Sequence, residues 1–244
     1  MKLRIPENLT QQAYRSIRDE IIKGKIDGQQ HFTEAFFANR YGISKSPIRE
    51  ALNRLETEGL ITIIPRRGAF VRNFLIHDVE EIYELREALE TLVVRNAVLD
   101  AKTLARLREL VSSAQSSLEK KDKPNYIQMD MAFHTTLAMA SSNLRLRRML
   151  ESMHNQMLIL RRQTFQLTSH TSVKQHLEIL KALEKGQRNR AAKLMAEHIR
   201  AVRKRLIDHI QKQETPRNTM RRRVLFPGPR TPRSNPLRAL ESRQ

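Results

Sequence analysis

The sequence predicts a mainly α-helical protein, with an N-terminal winged helix-turn-helix followed by a C-terminal antiparallel all-α bundle. Residues 1–75 contain three short amphipathic segments and then two runs rich in β-branched residues around a turn. Residues 76–213 show apolar residues at helical spacing and no strand-like alternation of useful length. Residues 214–244 carry five of the nine prolines and are strongly basic, which predicts a disordered tail. A passive extension is the favoured interpretation of this tail, and a weak, sequence-independent contribution to DNA binding is the alternative.

Three helices are expected in the N-terminal domain. The first presents an apolar face and should end at Gly24, because glycine readily adopts the left-handed conformation found after a helix. A short second helix is predicted over 33–40. Ser44 has the residue type of an N-cap, so a third helix should begin there and end before Gly59.

A β-hairpin should follow the third helix. The runs 60–64 and 69–71 are rich in β-branched and aromatic residues, and the segment between them has a late glycine, Gly68. Helix, turn, helix and hairpin together make a winged helix-turn-helix. The third helix of such a domain can enter the DNA major groove, with its N-terminal residues nearest the base edges.

Basic and hydroxyl side chains in this domain are candidate DNA contacts. Lys45 and Arg49 share one helix face, and a basic side chain bound to guanine is the commonest base-specific contact. Hydroxyls near the helix start can reach phosphates or bases, and hairpin-tip arginines can contact phosphate or the minor groove. The predicted DNA-binding residues are Ser44, Lys45, Ser46, Arg49, Arg54, Arg66, Arg67 and Gly68. The alternative is that Lys45, Arg49 and Arg54 form an ordinary solvated face.

The composition is compatible with this interpretation. The 45 Lys and Arg residues outnumber the 26 Asp and Glu residues, which gives a formal net charge of +19 and indicates a polyanionic partner, either nucleic acid or an anionic membrane. No apolar run reaches the roughly 18 residues that a transmembrane helix needs. The absence of cysteine excludes disulfides and thiolate metal sites and fits a cytoplasmic location.

The C-terminal domain is predicted as six antiparallel helices around inward-facing sites. Turn residues and helix breakers separate them at intervals that suit antiparallel neighbours. The expected helices are 77–99, 101–120, 124–141, 143–166, 171–185 and 187–212.

Four polar residues interrupt apolar helical stripes of this domain, namely Asp130, His134, His176 and His198. Asp130 and His134 are four residues apart and share a helix face. A buried carboxylate is costly unless something pairs with it. Three imidazoles and one carboxylate suit a divalent ion of the Zn, Ni, Mn or Fe class better than calcium, and they leave coordination positions for a ligand carboxylate. The alternative is that each histidine is an ordinary core residue.

Arg86 is the candidate anchor for an anionic effector. It shares a helix face with Tyr83 and Val93, so its charge should be partly buried. Such an arginine either binds a ligand carboxylate or pairs with an acidic neighbour such as Glu90, and the sequence favours neither.

Several segments resemble the GntR family of bacterial regulators and, within it, the FadR-type branch with an FCD ligand-binding domain. The GntR-like segments are 43–52 (ISKSPIREAL), 55–60 (LETEGL) and 65–68 (PRRG), and the FCD-like ones are 82–90 (IYELREALE), 130–134 (DMAFH), 175–180 (QHLEIL) and 192–198 (AKLMAEH). The resemblance implies a transcriptional regulator. Many such domains hold a divalent metal through one Asp and three His, and a small organic acid on that metal. Lys45 stands where the family usually has arginine, which leaves the operator sequence open.

Three functions remain to be compared. The first is a ligand-responsive regulator that binds an inverted-repeat operator as a homodimer, with no membrane partner. The second is a metallo-hydrolase with an appended DNA-binding domain, which is disfavoured because Glu178 and Glu197 should point away from the histidine face and cannot act as a base. The third is an architectural DNA binder that needs no ligand. The expectation is a regulator and not an enzyme.

Overall fold

The structure is a computed structural model that describes residues 8–26 and 31–213. The predicted basic tail, 214–244, lies outside the described residues. Within them the elements are α1 (Leu9–Lys23), β1 (His31–Phe32), α2 (Glu34–Tyr41), α3 (Lys45–Thr57), β2 (Ile61–Ile64), β3 (Gly68–Val71), α4 (Ile76–Asn96), α5 (Ala101–Glu119), α6 (Lys123–Met139), α7 (Leu144–Glu184) and α8 (Arg188–Gln213). The predicted fold class, a winged helix-turn-helix followed by a helical bundle, is confirmed.

The helices of the winged domain begin and end at the residues that the local sequence favours. The side chain of Asn8 accepts a hydrogen bond from the backbone of Gln11 at the start of α1, and Gly24 ends this helix in the left-handed conformation, at φ 70°. Thr33 caps α2 in the same way, and Ser44 is the N-cap residue of α3. The apolar stripes of α1 and α3 are buried, so these two helices form the core of the domain.

The wing contains the predicted hairpin and one further strand. Strands β2 and β3 pair antiparallel, with Ile64 opposite Gly68, and β1 pairs with the other edge of β3. Gly68 has φ +95°, and a Cβ there would lie 2.7 Å from the carbonyl oxygen of Phe32, so this turn requires glycine. The sequence did not predict β1, because two residues are too few to show a strand period.

Helix α7 corrects the prediction for the bundle. A break was expected between helices at 143–166 and 171–185, but Leu144–Glu184 is one helix of 41 residues. The segment around the expected break is rich in Ser and Thr, and its side chains are buried, with Thr168, Ser169 and Ser172 at most 3% exposed. The chain has no glycine or proline between 144 and 184. Tertiary burial therefore outweighs the weak local preference of Ser and Thr against helix.

The long helix also contacts the winged domain. The side-chain amides of Asn155 and Gln156 donate to the Oε2 atom and the backbone carbonyl of Glu58, each at 2.9 Å. Arg162 donates to the backbone carbonyl of Ile21 at 3.3 Å. Both domains belong to a compact unit that extends to Ile207. One helix therefore contacts the end of α3 and also contributes to the interior of the bundle.

Candidate metal centre and DNA-binding surface

Three buried histidines from three helices meet inside the bundle. His134 lies on α6, His176 on α7 and His198 on α8, and one ring nitrogen of each lies within 4.8 Å of the others. The Nε2 atoms of His176 and His198 are 3.2 Å apart. The structure thus brings together three of the four residues that the sequence predicts as metal ligands.

Hydrogen bonds behind two of these rings set their orientation. Nδ1 of His198 lies 2.9 Å from Oε1 of Gln175, and Nδ1 of His134 lies 2.5 Å from Oε2 of Glu90. Amide and carboxylate oxygens only accept hydrogen bonds, so each Nδ1 carries the proton and each Nε2 keeps its lone pair. Metal-binding histidines are typically oriented by hydrogen bonds of this kind.

Burial keeps all three rings neutral. It lowers the pKa of His176 and His198 well below the ordinary value, because a buried imidazolium loses its hydration. Burial also lowers the pKa of His134, and the opposing attraction of Glu90 offsets this only in part. Near pH 7 the rings are therefore in the form that binds a metal ion.

Asp130, the fourth predicted ligand, is paired with an arginine. Its Oδ2 atom lies 2.8 Å from Nε of Arg161, and its Oδ1 atom lies 3.9 Å from Nδ1 of His176. Burial alone would raise the pKa of Asp130, but the Arg161 charge and its other cationic neighbours hold the pKa below the ordinary value. Asp130 is therefore an ionised carboxylate at the edge of the three-histidine group, and its role as a ligand stays a prediction.

Arg161, which the sequence indicates only as a less specific anion-binding candidate than Arg86, lies in this site although it was not among the predicted site residues. It is 3% exposed, and besides pairing with Asp130 its Nη2 atom lies 3.0 Å from Nε2 of His134. Its signal was present in the sequence, because Met157 and Leu160 place it within a buried helical stripe in the same way as Arg86.

Arg86 pairs with Glu90, which was one of its two expected roles, and it keeps a donor for the other role, binding of a ligand carboxylate. Arg86 is 2% exposed and its Nε atom donates to Oε1 of Glu90, so the intrahelical pair is present. Its Nη2 atom lies 3.0 Å from Nε2 of His134. Among the described residues, Nη1 of Arg86 and the hydroxyl of Tyr83 have no hydrogen-bond partner. A buried donor without a partner is costly, so this guanidinium can still receive an anionic oxygen.

A cavity begins at these polar groups and extends between α6 and α7. Arg86, Glu90 and His134 are among its lining residues. The other lining residues include four flexible methionines and several polar groups, and they are Met131, Thr135, Ala138, Met139, Arg147, Leu150, Glu151, Met153, His154 and Met157. The cavity fits a small ligand with an acidic group beside Arg86 and His134 and an apolar body.

Most of the predicted DNA-binding residues are exposed on the winged domain. Ser44, Lys45, Ser46 and Arg49, at the N-cap and in the first two turns of α3, are exposed, and so are Arg66 and Arg67 in the hairpin loop. Arg49 forms a two-point ion pair with Glu34 of α2, at 2.7 and 2.8 Å. Because Arg49 remains 61% exposed, DNA can compete for its guanidinium.

Two of the predicted DNA contacts have visible packing roles. The guanidinium of Arg54 lies 3.9 Å from the centre of the Tyr14 ring and pairs with Glu58 at 3.1 Å, so it links α3 to α1. Gly68 is needed in the hairpin turn because a side chain there would collide with the carbonyl oxygen of Phe32. DNA contact by either residue stays a prediction.

Among the described helices, none has the length and apolar character that crossing a membrane would require.

Comparison with known proteins identifies the family of each of the two domains. Residues 9–71 match the family described as bacterial regulatory proteins, gntR family, and residues 81–201 match the FCD domain. An HTH-type transcriptional regulator of Agrobacterium vitis is 33% identical over 130 residues, which cover 51% of this chain and 76% of that protein. The chain belongs to the GntR family. This GntR protein is a transcriptional regulator and not an enzyme, as the sequence predicted.

Other relatives agree with this assignment. The Nta operon transcriptional regulator of Aminobacter aminovorans is 30% identical over 172 residues, which cover 70% of this GntR protein and 81% of the relative. The transcriptional repressor RspR of Escherichia coli is 25% identical over 201 residues, with 80% and 87% of the two chains covered. A putative GntR regulator from Rhodococcus sp. RHA1 has the same fold, with a TM-score of 0.72, 22% identity and coverage of 82% and 97%.

Proposed function

We propose that this GntR protein is a ligand-responsive regulator that binds an inverted-repeat operator as a homodimer in the cytoplasm. A small carboxylic acid is the proposed effector, bound in the bundle on a divalent ion of the Zn, Ni, Mn or Fe class. The observation that carries the proposal is the set of neutral, buried histidines beside the unpartnered donor of Arg86. The DNA-binding part of the proposal is supported by membership of the GntR family and by the exposed start of α3.

The donor set fits a borderline divalent ion. His134, His176 and His198 would hold it through their ring nitrogens, and Asp130 would supply a carboxylate oxygen. A bound ion would supply Lewis acidity and coordination positions for a carboxylate of the effector. Glu178 and Glu197 are solvent-exposed, and the buried carboxylates beside the histidines, Glu90 and Asp130, are each paired with an arginine. A carboxylate held in an ion pair is a poor base, so this arrangement supports a sensor rather than a hydrolytic centre.

The charges around the site support an anionic effector. The buried cations Arg86 and Arg161 are balanced by the buried anions Glu90 and Asp130. A divalent ion would add two uncompensated positive charges, and burying unbalanced charge is costly. A carboxylate placed against the ion and Nη1 of Arg86 would offset half of that excess, and a dicarboxylate could offset all of it.

Helix α7 offers a route by which the effector can alter DNA binding. It carries Arg161 and His176 of the site, and it also carries Asn155, whose amide bonds to Glu58 at the end of α3. A shift of α7 between two positions would change the placement of the recognition helix. The effector would then act by binding one of the two positions better than the other.

Replacing Arg49 by alanine is expected to weaken operator binding by about 1–3 kcal/mol, because a base-contacting arginine is lost. The measurement is a titration of wild type and variant against a duplex that the wild type selects from a random library. The selected duplex should contain an inverted repeat. Arg106→Ala is the matched control, since Arg106 is also an exposed arginine in a 2.7 Å ion pair but lies in the bundle. Equal affinities of the Arg49→Ala variant and the wild type would contradict the proposed role of α3.

Small carboxylic acids are expected to raise the melting temperature of the metal-loaded protein, because a ligand that binds only the native state stabilises it. At one hundred times its dissociation constant, such a ligand adds about 2.7 kcal/mol. The measurement is a thermal-shift series with Zn²⁺, Ni²⁺, Mn²⁺ or Fe²⁺ and with mono-, di- and tricarboxylic acids, with the corresponding alcohols as controls. If no acid shifts the transition or alters operator affinity, the effector proposal fails and a ligand-independent DNA binder is supported.

A further inference from the structure

The cavity between α6 and α7 has a buried part and an open part. Arg86, Glu90 and His134, which line it, are at most 8% exposed. Met139 and Glu151 line it as well and are exposed, Met139 to 54%. A ligand whose first carboxylate lies beside Arg86 and His134 therefore extends from there towards the exposed residues.

A second arginine, Arg147, lines this cavity far from the histidines. Nη2 of Arg161 lies 3.0 Å from Nε2 of His134, so Arg161 identifies the part of α7 that faces the histidines. Arg147 precedes Arg161 by fourteen residues, which is about 21 Å along a helix axis. His154 and Met157 follow Arg147 by seven and ten residues, share its helix face and line the cavity between the two arginines.

The guanidinium of Arg147 has hydrogen-bonding capacity that the protein leaves unused. Its Nε atom is buried and has no hydrogen-bond partner among the described residues. Within residues 8–26 and 31–213, Arg147 forms no ion pair, although Glu151 lies one turn further along the same helix face. A buried donor without an acceptor is costly, and a carboxylate is the acceptor that a guanidinium binds most strongly. Arg147 is therefore suited to bind an acidic group of a ligand.

The α7 wall between the two arginines is mainly apolar. Leu150, Met153 and Met157 line it, and such side chains offer at most weak hydrogen bonds, so the part of a ligand that contacts them should be apolar. Flexible methionines also adapt to ligands of different shape.

The other two ionisable residues at this part of the wall do not prevent a carboxylate from binding there. Burial, with the nearby charge of Arg18, keeps the pKa of His154 below its ordinary value, so near pH 7 the ring is neutral and can donate one hydrogen bond. Glu151 is exposed, so water screens its repulsion of a second carboxylate.

We propose that the effector is a linear molecule with a carboxylate at each end, and that Arg147 binds its outer carboxylate. This inference rests on the proposed function, because the inner carboxylate is the one already assigned to Arg86 and the histidines. It goes further by naming the chemical class, an α,ω-dicarboxylic acid with an apolar middle, and the residue that selects this class over monocarboxylic acids.

Calorimetric titration of the full-length, Zn²⁺-loaded chain tests the ligand class. The ligands are the linear dicarboxylic acids from butanedioic to decanedioic acid, each compared with the linear monocarboxylic acid of equal carbon number. The longer dicarboxylic acids are expected to bind at least about tenfold more tightly than their monocarboxylic counterparts, because Arg147 adds charge-assisted hydrogen bonds. Butanedioic acid should lack this advantage, because it is too short to reach both arginines.

Substitution of Arg147 tests the residue, with the same titrations as the measurement. Arg147→Met is expected to abolish the advantage of the dicarboxylic acids and to leave the affinity for monocarboxylic acids unchanged, which also shows that the inner site is intact. Arg148→Met is the matched control, since Arg148 is exposed and does not line the cavity, and it should keep the full advantage.

Charge reversal at the same position should exchange the preference. Arg147→Glu is expected to bind the linear ω-aminocarboxylic acid more tightly than the dicarboxylic acid of equal carbon number, because the new carboxylate attracts an ammonium group and repels a carboxylate. The wild type should show the opposite order. If the variant still prefers the dicarboxylic acid, Arg147 does not bind the outer group.

The outcomes separate this inference from the proposed function. A wild-type chain that binds neither mono- nor dicarboxylic acids contradicts the proposed effector site itself. A wild-type chain that binds both classes equally well, or whose preference for dicarboxylic acids survives Arg147→Met, keeps the effector site and overturns only the role of Arg147.

Discussion

Replacing His134 and His176 together by alanine is expected to abolish stoichiometric metal binding while the chain remains helical. The two rings supply two of the three nitrogens that lie within 4.8 Å of one another, and the remaining pair of His198 and Asp130 is too few ligands to hold a divalent ion tightly. Loss of even an outer hydrogen-bond partner of a ligand typically costs 10–100-fold in metal affinity, so loss of two ligands should exceed about 100-fold. The measurement is elemental analysis after metal loading and dialysis, with circular dichroism to follow helicity.

Exposed histidines provide the matched control for this experiment. His77 and His170 lie on the surface of the same domain, so a variant with both replaced by alanine loses the same number of imidazoles. This control should bind as much metal as the wild type. Undiminished metal content in the His134→Ala, His176→Ala variant would show that the ion is held elsewhere and that the proposed ligand set is wrong.

Replacing Arg86 by methionine is expected to destabilise the metal-free protein by about 3–5 kcal/mol, because the substitution leaves Glu90 as a buried charge without its main partner. Glu90 is nearly inaccessible, and its remaining partner is the neutral ring of His134. The measurement is chemical denaturation at pH 7. The double variant Arg86→Met, Glu90→Gln should recover much of the loss, since it removes the unpaired charge and keeps an acceptor for His134.

The pH dependence of this loss identifies its cause. Burial alone would raise the pKa of Glu90, but Arg86 and His134 hold it well below the ordinary value. In the wild type the ionised carboxylate therefore stabilises the fold above the ordinary pKa of about 4.3, and this contribution disappears as the pH falls. Without Arg86 the pKa of Glu90 should rise instead. The difference between wild type and variant should then be largest near pH 7 and shrink on acidification, because protonation removes the buried charge.

An exposed ion pair is the control for the buried one. Arg106 and Glu109 are both largely exposed, so Arg106→Met should cost no more than about 1 kcal/mol. A cost of this small size for Arg86→Met, or one that does not depend on pH, would contradict the view that Arg86 and Glu90 form the electrostatic centre of the site.

The local parts of the winged domain could be predicted closely because neighbouring residues determine them. Gly24 adopts a left-handed φ, and a short polar side chain caps α2, so the chain near each helix end carries its own signal. The β1 strand carries no such signal. It exists because the backbone of His31–Phe32 pairs with β3, which is distant in the sequence.

In the bundle too, the sequence predicts which residues are buried, whereas only the tertiary structure shows how they pair. The interruption of apolar stripes by His134, His176 and His198 indicates burial of these rings, and their meeting follows if the stripes share one core. The stripes do not specify which charges lie between the helices. The pairing of Asp130 with Arg161 depends on how α6 and α7 pack, and so does the approach of Arg86 to His134.

By itself, the sequence determined the fold class, the start of α3 near Ser44 and the burial of the four polar residues Asp130, His134, His176 and His198 in the helical core. These properties depend on residue type and short-range periodicity, which act before any tertiary contact forms. Only the tertiary structure decided that 144–184 is one helix and that Asp130 is neutralised by Arg161. The physical reason is burial. Packing against neighbouring residues decides whether a Ser–Thr segment stays helical, and neighbouring charges decide the free-energy cost of burying a carboxylate.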